Sequence, residues 1–203
     1  MFSDLASPNL IYVLVSIIIA LSIHEAMHAF TAHWLGDTTA QDMGRLSLNP
    51  LKHIDPLTTV ALPIITLIIF HVPILAAKPV PFNPDRVKFN EFGSALVAAA
   101  GPLTNLVLAV IGVLILHIVT NTALGGFLIT FVELNVIIFI FNLIPIPPLD
   151  GSRILYAFAP EPVQDIMRQI EPYGLFIVFA LVLTGILIPL LSNIDNAVLQ
   201  LLP

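Results

Sequence analysis

Five long apolar runs separated by short polar segments make up most of the chain: Leu10–Leu35, Leu57–Ala77, Phe92–Val119, Phe127–Ile146 and Tyr173–Leu191. Each approaches or exceeds the roughly 20 residues a helix needs to cross a bilayer. The pattern therefore predicts an all-α membrane protein, a polytopic bundle of about four to five membrane helices. The polar segments 36–56, 78–91, 120–126 and 147–172 are all shorter than the ~50 residues of the smallest usual domain. The chain thus reads as a single integral-membrane domain over 1–203, with no PDZ or other accessory module and a further C-terminal membrane helix at about 172–192. Within 36–56, Arg45-Leu46-Ser47-Leu48-Asn49 alternates polar and apolar ahead of Pro50, which predicts a short β-strand with an open edge. Lys78-Pro79-Val80-Pro81-Phe82-Asn83-Pro84 cannot be helical and reads as an extended connector. Ala95, Ala99 and neighbouring small residues let the third helix pack closely on another.

Composition changes the picture only by making the bilayer the main solvent. Hydrophobic residues are 58% and charged residues 10%, with a mean hydropathy of +1.00, far above a soluble domain of this length. The net charge is −6, and seven Lys and Arg make no nucleic-acid surface. The absence of cysteine rules out disulfides and thiolate sites, leaving His, Asp and Glu as the strong metal ligands. Met1–Asn9 has no positively charged n-region and leads into the first run, so that run reads as a retained helix and not a cleaved signal peptide.

The candidate chemistry lies inside the first run, at His24-Glu25-Ala26-Met27-His28. Helical residues four apart share a face, so both imidazoles can hold one zinc ion while Glu25 takes a proton from an attacking water. Ionisable groups at bilayer depth are costly and point to function. A catalytic zinc usually takes three protein ligands, and the metzincin continuation fails because Thr31 and Trp34 stand where Gly and His would be. Glu133 and Asp150 remain as third ligands. They lie near opposite ends of the fourth run, about 25 Å apart by helical rise, so only one can share a depth with His24 and His28. Taken alone, Asp150-Gly151 is a turn and Asn142 and Asn105 are interhelical hydrogen-bonding residues. His53 reads as a surface or substrate-groove residue; His33, His71 and His117 read as non-ligands.

Asn142-Leu143-Ile144-Pro145-Ile146-Pro147-Pro148-Leu149-Asp150-Gly151 resembles the NxxPxPxxDG signature of the site-2 proteases, the intramembrane zinc metalloproteases, and His24–His28 matches their HExxH. The resemblance extends to Gly44–Pro50 with His53-Ile54-Asp55-Pro56, to Lys78-Pro79-Val80-Pro81, and to Gly101-Pro102 with Asn105. It covers about residues 10–153, the implied catalytic core, and is similar to small family members without a PDZ domain. It implies one zinc per chain held by His24, His28 and Asp150, with Glu25 as general base and then acid, and Asn142 as a donor to the oxyanion. It also implies transmembrane proteins as substrates. Asn105, Leu46, Leu48 and His53 are then candidate substrate-binding residues, the Arg45–Asn49 strand pairing with an unwound substrate segment. Pro145, Pro147 and Pro148 break the fourth helix, so Asn142 and Asp150 can both face the metal.

Topology follows from charge. If Leu57–Ala77 is re-entrant and does not span, all seven basic residues fall on one side, as the positive-inside rule prefers. The same arrangement gives His28 and Asp150 one depth. Pro63 and Pro73 suit a broken, re-entrant segment. The expectation is a multi-pass protein of the cell membrane whose active site opens toward the cytoplasm. A metal-binding or metal-transporting membrane protein is the competing reading, and Glu25 distinguishes them, since transport needs ligands but no adjacent base.

Overall fold

A computed structural model describes residues 8–53 and 80–185, with Ala197, Leu199 and Gln200 near the C-terminus. The helices are α1 Pro8–Trp34, α2 Thr39–Asp42, α3 Asn90–Leu116, α4 Thr122–Asn142, α5 Asp150–Phe158, α6 Glu161–Ile170 and α7 Gly174–Leu183. Four helical stretches are long and apolar enough to cross a membrane: Leu10–Trp34, Asn90–Leu116, Thr122–Asn142 and Glu161–Leu183. The fifth predicted span, Leu57–Ala77, lies outside the described residues. The last span begins earlier than the sequence pattern suggests. Pro162 stands in the first turn of α6, where a missing N–H costs nothing. A 3-10 turn at Glu171–Tyr173 then carries the polar helix into the apolar α7.

α1, α3 and α4 form the centre of the bundle, with α5 folded against α3. Close approach rests on small side chains. Ala20, Ala26, Ala29 and Ala32 of α1 are fully buried, as is Ala109 of α3, and a Cβ at Gly112 would stand 2.7 Å from Val132 of α4. In lipid, where apolar surface alone gives no drive to associate, such residues let backbones approach. Only five residues separate α3 from α4, and the Asn121 side chain caps α4 by accepting from Ala123 and Leu124 N–H at 2.9 and 3.1 Å. α3 and α4 are therefore antiparallel neighbours.

The predicted strand is not there. Arg45–Asn49 is an irregular turn, and no strand occurs among the described residues. Ser47 N–H donates to the Arg45 carbonyl at 2.9 Å, Asn49 N–H to Ser47 Oγ at 3.1 Å and Leu51 N–H to Asn49 Oδ1 at 3.0 Å. The polar residues that gave the alternation capture the neighbouring backbone for themselves, which competes with any ladder.

The chain on either side of residues 54–79 is tied to the same end of α1. Lys88 N–H donates to the Leu35 carbonyl at 2.9 Å, and Asp37 accepts from Asn83 N–H at 2.7 Å and from Thr39 N–H at 3.0 Å. From there the connector reaches inward, since Val80 N–H bonds Glu25, nine residues or roughly 13 Å before the end of α1. Asp37 is fully buried. Burial raises its pKa, but hydrogen bonds from Thr39 and Asn83 and the nearby Arg86 charge outweigh that and hold the carboxyl below its ordinary 3.8. A lowered folded pKa means that the carboxylate stabilises fully at pH well above 3.8. That contribution is lost as pH falls below 3.8 and through the folded value. Asp37→Ala should lower the unfolding free energy by about 3 kcal/mol at neutral pH, because buried donors lose their acceptor. Thermal unfolding in detergent should show the wild-type advantage shrinking in acid; an advantage independent of pH would remove the carboxylate from the latch.

Candidate metal centre

His24 and His28 lie one turn apart on α1, 3% and 8% exposed, with their Nε2 atoms 3.0 Å apart. Asp150 Oδ2 sits 3.2 Å from His24 Nε2 and 3.4 Å from His28 Nε2. A tetrahedral zinc with ligands at about 2.1 Å sets its donors roughly 3.4 Å apart, close to the dimensions of the triangle. Asp150 reaches it because α4 ends at Asn142 and the chain turns through Pro145–Pro148. The first residues of α5 then fold back on that end. Gly151 makes the return possible, since any Cβ there would lie within van der Waals contact of the Leu143 carbonyl. Glu133, the other sequence candidate, is exposed on α4 and outside the cluster.

The protons of the two imidazoles decide what the triangle can hold. His28 Nδ1 lies 2.7 Å from the Val97 carbonyl, which only accepts, so Nδ1 carries the proton and Nε2 a lone pair. His24 Nδ1 lies 2.6 Å from Asn105 Oδ1, with the same result. Two lone pairs and a carboxylate oxygen thus converge at 3.0–3.4 Å. Acceptors alone at that spacing repel, and a cation between them is the arrangement that satisfies all three. Gly101 of α3 covers the pair: a Cβ there would stand 2.5 Å from His28 Nε2 and 2.6 Å from His24 Nε2.

The other predicted site residues divide. Glu25 is buried next to the pair, its Oε2 accepting from Val80 N–H at 2.9 Å. Asn142 turns its amide back on α4, donating to the Ile138 carbonyl at 3.0 Å. Asn105 is wholly buried beneath His24, away from any surface a substrate could reach. Leu46 packs on the Ala29, Ala40 and Val80 cluster and Leu48 is 58% exposed. His53 is buried with Nε2 2.7 Å from the Ser47 carbonyl. Val97 and Val80 contribute through their backbones, which carry no sequence signal. Asn135, bonded to Asn105 at 2.9 Å, was missed although it is an amide within an apolar run.

The profile of peptidase family M50 matches residues 117–185. Across most of the chain, the protein is 35% identical over 204 residues to "Putative zinc metalloprotease YwhC" of Bacillus subtilis, covering 94% of this chain and 90% of that one. It is 31% identical over 182 residues to "Putative zinc metalloprotease Rip2" of Mycolicibacterium smegmatis, covering 86% of this chain and 67% of the relative. The protein of the same name from Mycobacterium tuberculosis H37Rv is 28% identical over 172 residues, or 82% and 63% of the two chains. No solved structure matches the chain significantly. With this similarity along nearly its whole length and four membrane-length apolar helices, the chain belongs to peptidase family M50, the site-2 proteases, and is a multi-pass zinc metalloprotease.

Proposed function

We propose that the protein is an intramembrane endopeptidase that cuts peptide bonds within or near transmembrane segments of other proteins, with His24, His28 and Asp150 holding its zinc. The observation that carries the reading is the triangle of three acceptors, two buried on α1 and one half-buried at the start of α5, at the end of a helical bundle. A zinc ion held by these three residues would supply Lewis-acid polarisation of the scissile carbonyl and of the attacking water. Glu25, held by the Val80 amide, takes the proton of the attacking water and passes it to the leaving amine. Asn142, at the mouth formed by the end of α4, donates to the oxyanion after its amide leaves Ile138. Leu48, exposed in the loop after α2, meets the substrate segment in this reading, with Leu46 and His53 supporting that loop from beneath. Asn105 belongs to the metal's support instead. Residues 10–153 form the catalytic core of one membrane domain.

The orientation follows from charge. Arg45, Lys52, Arg86, Lys88, Arg153 and Arg168 all lie in segments at the metal end of the bundle, while the α3–α4 connection at the other end has no Lys or Arg. The positive-inside rule therefore places the metal end in the cytoplasm of a cell-membrane protein. Single cysteines at Asp42, Asp85, Glu161 and Asn121, all exposed, can be labelled without background because the chain has none of its own. An impermeant thiol reagent should reach the first three only from the cytoplasmic side and Asn121 only from outside. Labelling of Asp42 and Asp85 from opposite faces would overturn the topology.

Two variants test the chemistry. Glu25→Gln should keep stoichiometric zinc and lose on the order of 10²–10⁴ in cleavage rate, the usual contribution of a general base; full activity against a membrane-protein substrate would rule out this mechanism. Gly101→Ala should fold but lose zinc, measured as metal per chain, because its Cβ enters the space of both Nε2 atoms. Zinc content equal to wild type would show that the imidazoles hold metal in some other arrangement.

A further inference from the structure

Asn135 is a buried polar group that the chemistry above leaves without a task. It is fully buried in α4, as Asn105 is in α3. Amides in the apolar interior of a bundle can simply tie helices together. Here the direction of every hydrogen bond can be assigned from backbone atoms that have one possible role. The Phe131 carbonyl only accepts, so the Asn135 group 2.8 Å from it is the NH₂. Asn135 Oδ1 must then face Asn105, whose NH₂ donates to it at 2.9 Å. That NH₂ also points at a second obligate acceptor, the Ala20 carbonyl, at 3.4 Å. Asn105 Oδ1 is left for His24 Nδ1 at 2.6 Å. The imidazole therefore has its proton on Nδ1 and its lone pair on Nε2, in the triangle.

We propose that Asn135 is a positioning residue for the metal centre: through Asn105 it fixes the tautomer and ring orientation of His24. The proposal rests on the reading that His24, His28 and Asp150 hold zinc. The relay crosses three helices, from α4 through α3 to α1, so the packing of the bundle and the proton position of a ligand are one network. Without Asn135 Oδ1, the Asn105 amide loses its main orienting acceptor and is free to turn its NH₂ toward His24. That would favour the imidazole tautomer with its lone pair facing away from the metal. A partner that orients a ligating histidine typically contributes 10–100-fold in metal affinity, and a group acting one step further out should contribute about tenfold.

The test uses the full chain in detergent, with zinc affinity read by competition with a chromophoric chelator and ligand geometry read from the visible absorption of the cobalt-substituted protein. Asn135→Leu should bind zinc about tenfold more weakly and shift the cobalt bands. The double variant Asn105→Asp/Asn135→Leu should recover most of that loss. A carboxylate at 105 has only acceptor oxygens and needs no partner to present one to His24 Nδ1. If the pair merely ties helices together, the double variant will bind zinc no better than the single one, and the proposal fails. It fails equally if Asn135→Leu binds zinc and cobalt as wild type does. If Asn135→Leu does not fold, Asn135→Ser takes its place, since the shorter hydroxyl does not span to Asn105, and the same weakening and rescue are expected. His24→Ala separates the two levels. Zinc binding unchanged in that variant would overturn the metal assignment itself, while binding lost there but unchanged in Asn135→Leu would overturn only the relay.

Discussion

Three hydrogen-bond acceptors brought within 3.0–3.4 Å of one another in the buried end of a membrane bundle are the constraint to which the rest of the structure answers. Away from water, unpaired acceptors are costly, and these repel one another as well. The protein meets the cost by proton placement. The Val97 carbonyl and Asn105 Oδ1 take up the Nδ1 protons, so that what remains in the centre is an electron-rich pocket fit for a divalent cation. Steric fit is set by absence of side chain, because Gly101 lets α3 lie directly over both imidazoles. The same helix supplies the Val97 carbonyl and the Asn105 amide, so α3 both orients the two imidazoles and packs directly over them.

The second demand is that ligands far apart in sequence share one depth. α1 ends at the metal end, α3 begins there and α4 ends there, and α5 returns Asp150 after the proline turn. This works only if the chain between α1 and α3 leaves and returns at the same end. The bonds from Lys88 to Leu35 and from Asn83 to Asp37 hold it so. The latch thus helps keep His24, His28 and Asp150 at one depth, although its residues belong to none of the three.

What was legible in the sequence was whatever side chains write directly. His24, Glu25 and His28 showed because a four-residue spacing on a helix is a geometric statement, and the membrane character showed because apolar runs report their solvent. Asp150 showed only with the resemblance, since Asp-Gly by itself is a turn. The fold-back it depends on is a tertiary contact of Gly151 with Leu143. The strand at Arg45–Asn49 was a misreading of period two: Ser47 and Asn49 spend their polarity on local backbone and leave no ladder. Asn105 was legible as an important amide but not in its place, because a substrate contact and a buried support for His24 present the same residue to a reader of sequence. Asn142 carries the opposite ambiguity, its motif clear and its amide turned inward on α4.

The Glu25 carboxylate brings the two demands together. Glu25 sits next to His24 on α1, but its carboxylate is held by the backbone N–H of Val80, a residue of the connector that the Asp37 latch fastens to the end of the helix. A backbone donor has no rotamer freedom of its own, so it fixes the carboxylate more firmly than a side chain of equal reach, provided the backbone itself is fixed. Val80 is also packed with Ala29 of α1 and Ala40 of α2, which pins that amide from the other side. The position of the proton acceptor therefore depends on the path of the connector as much as on α1. Asp37 and Asn83 thus bear on the placement of Glu25 through the connector between Val80 and Pro84, without touching Glu25 themselves.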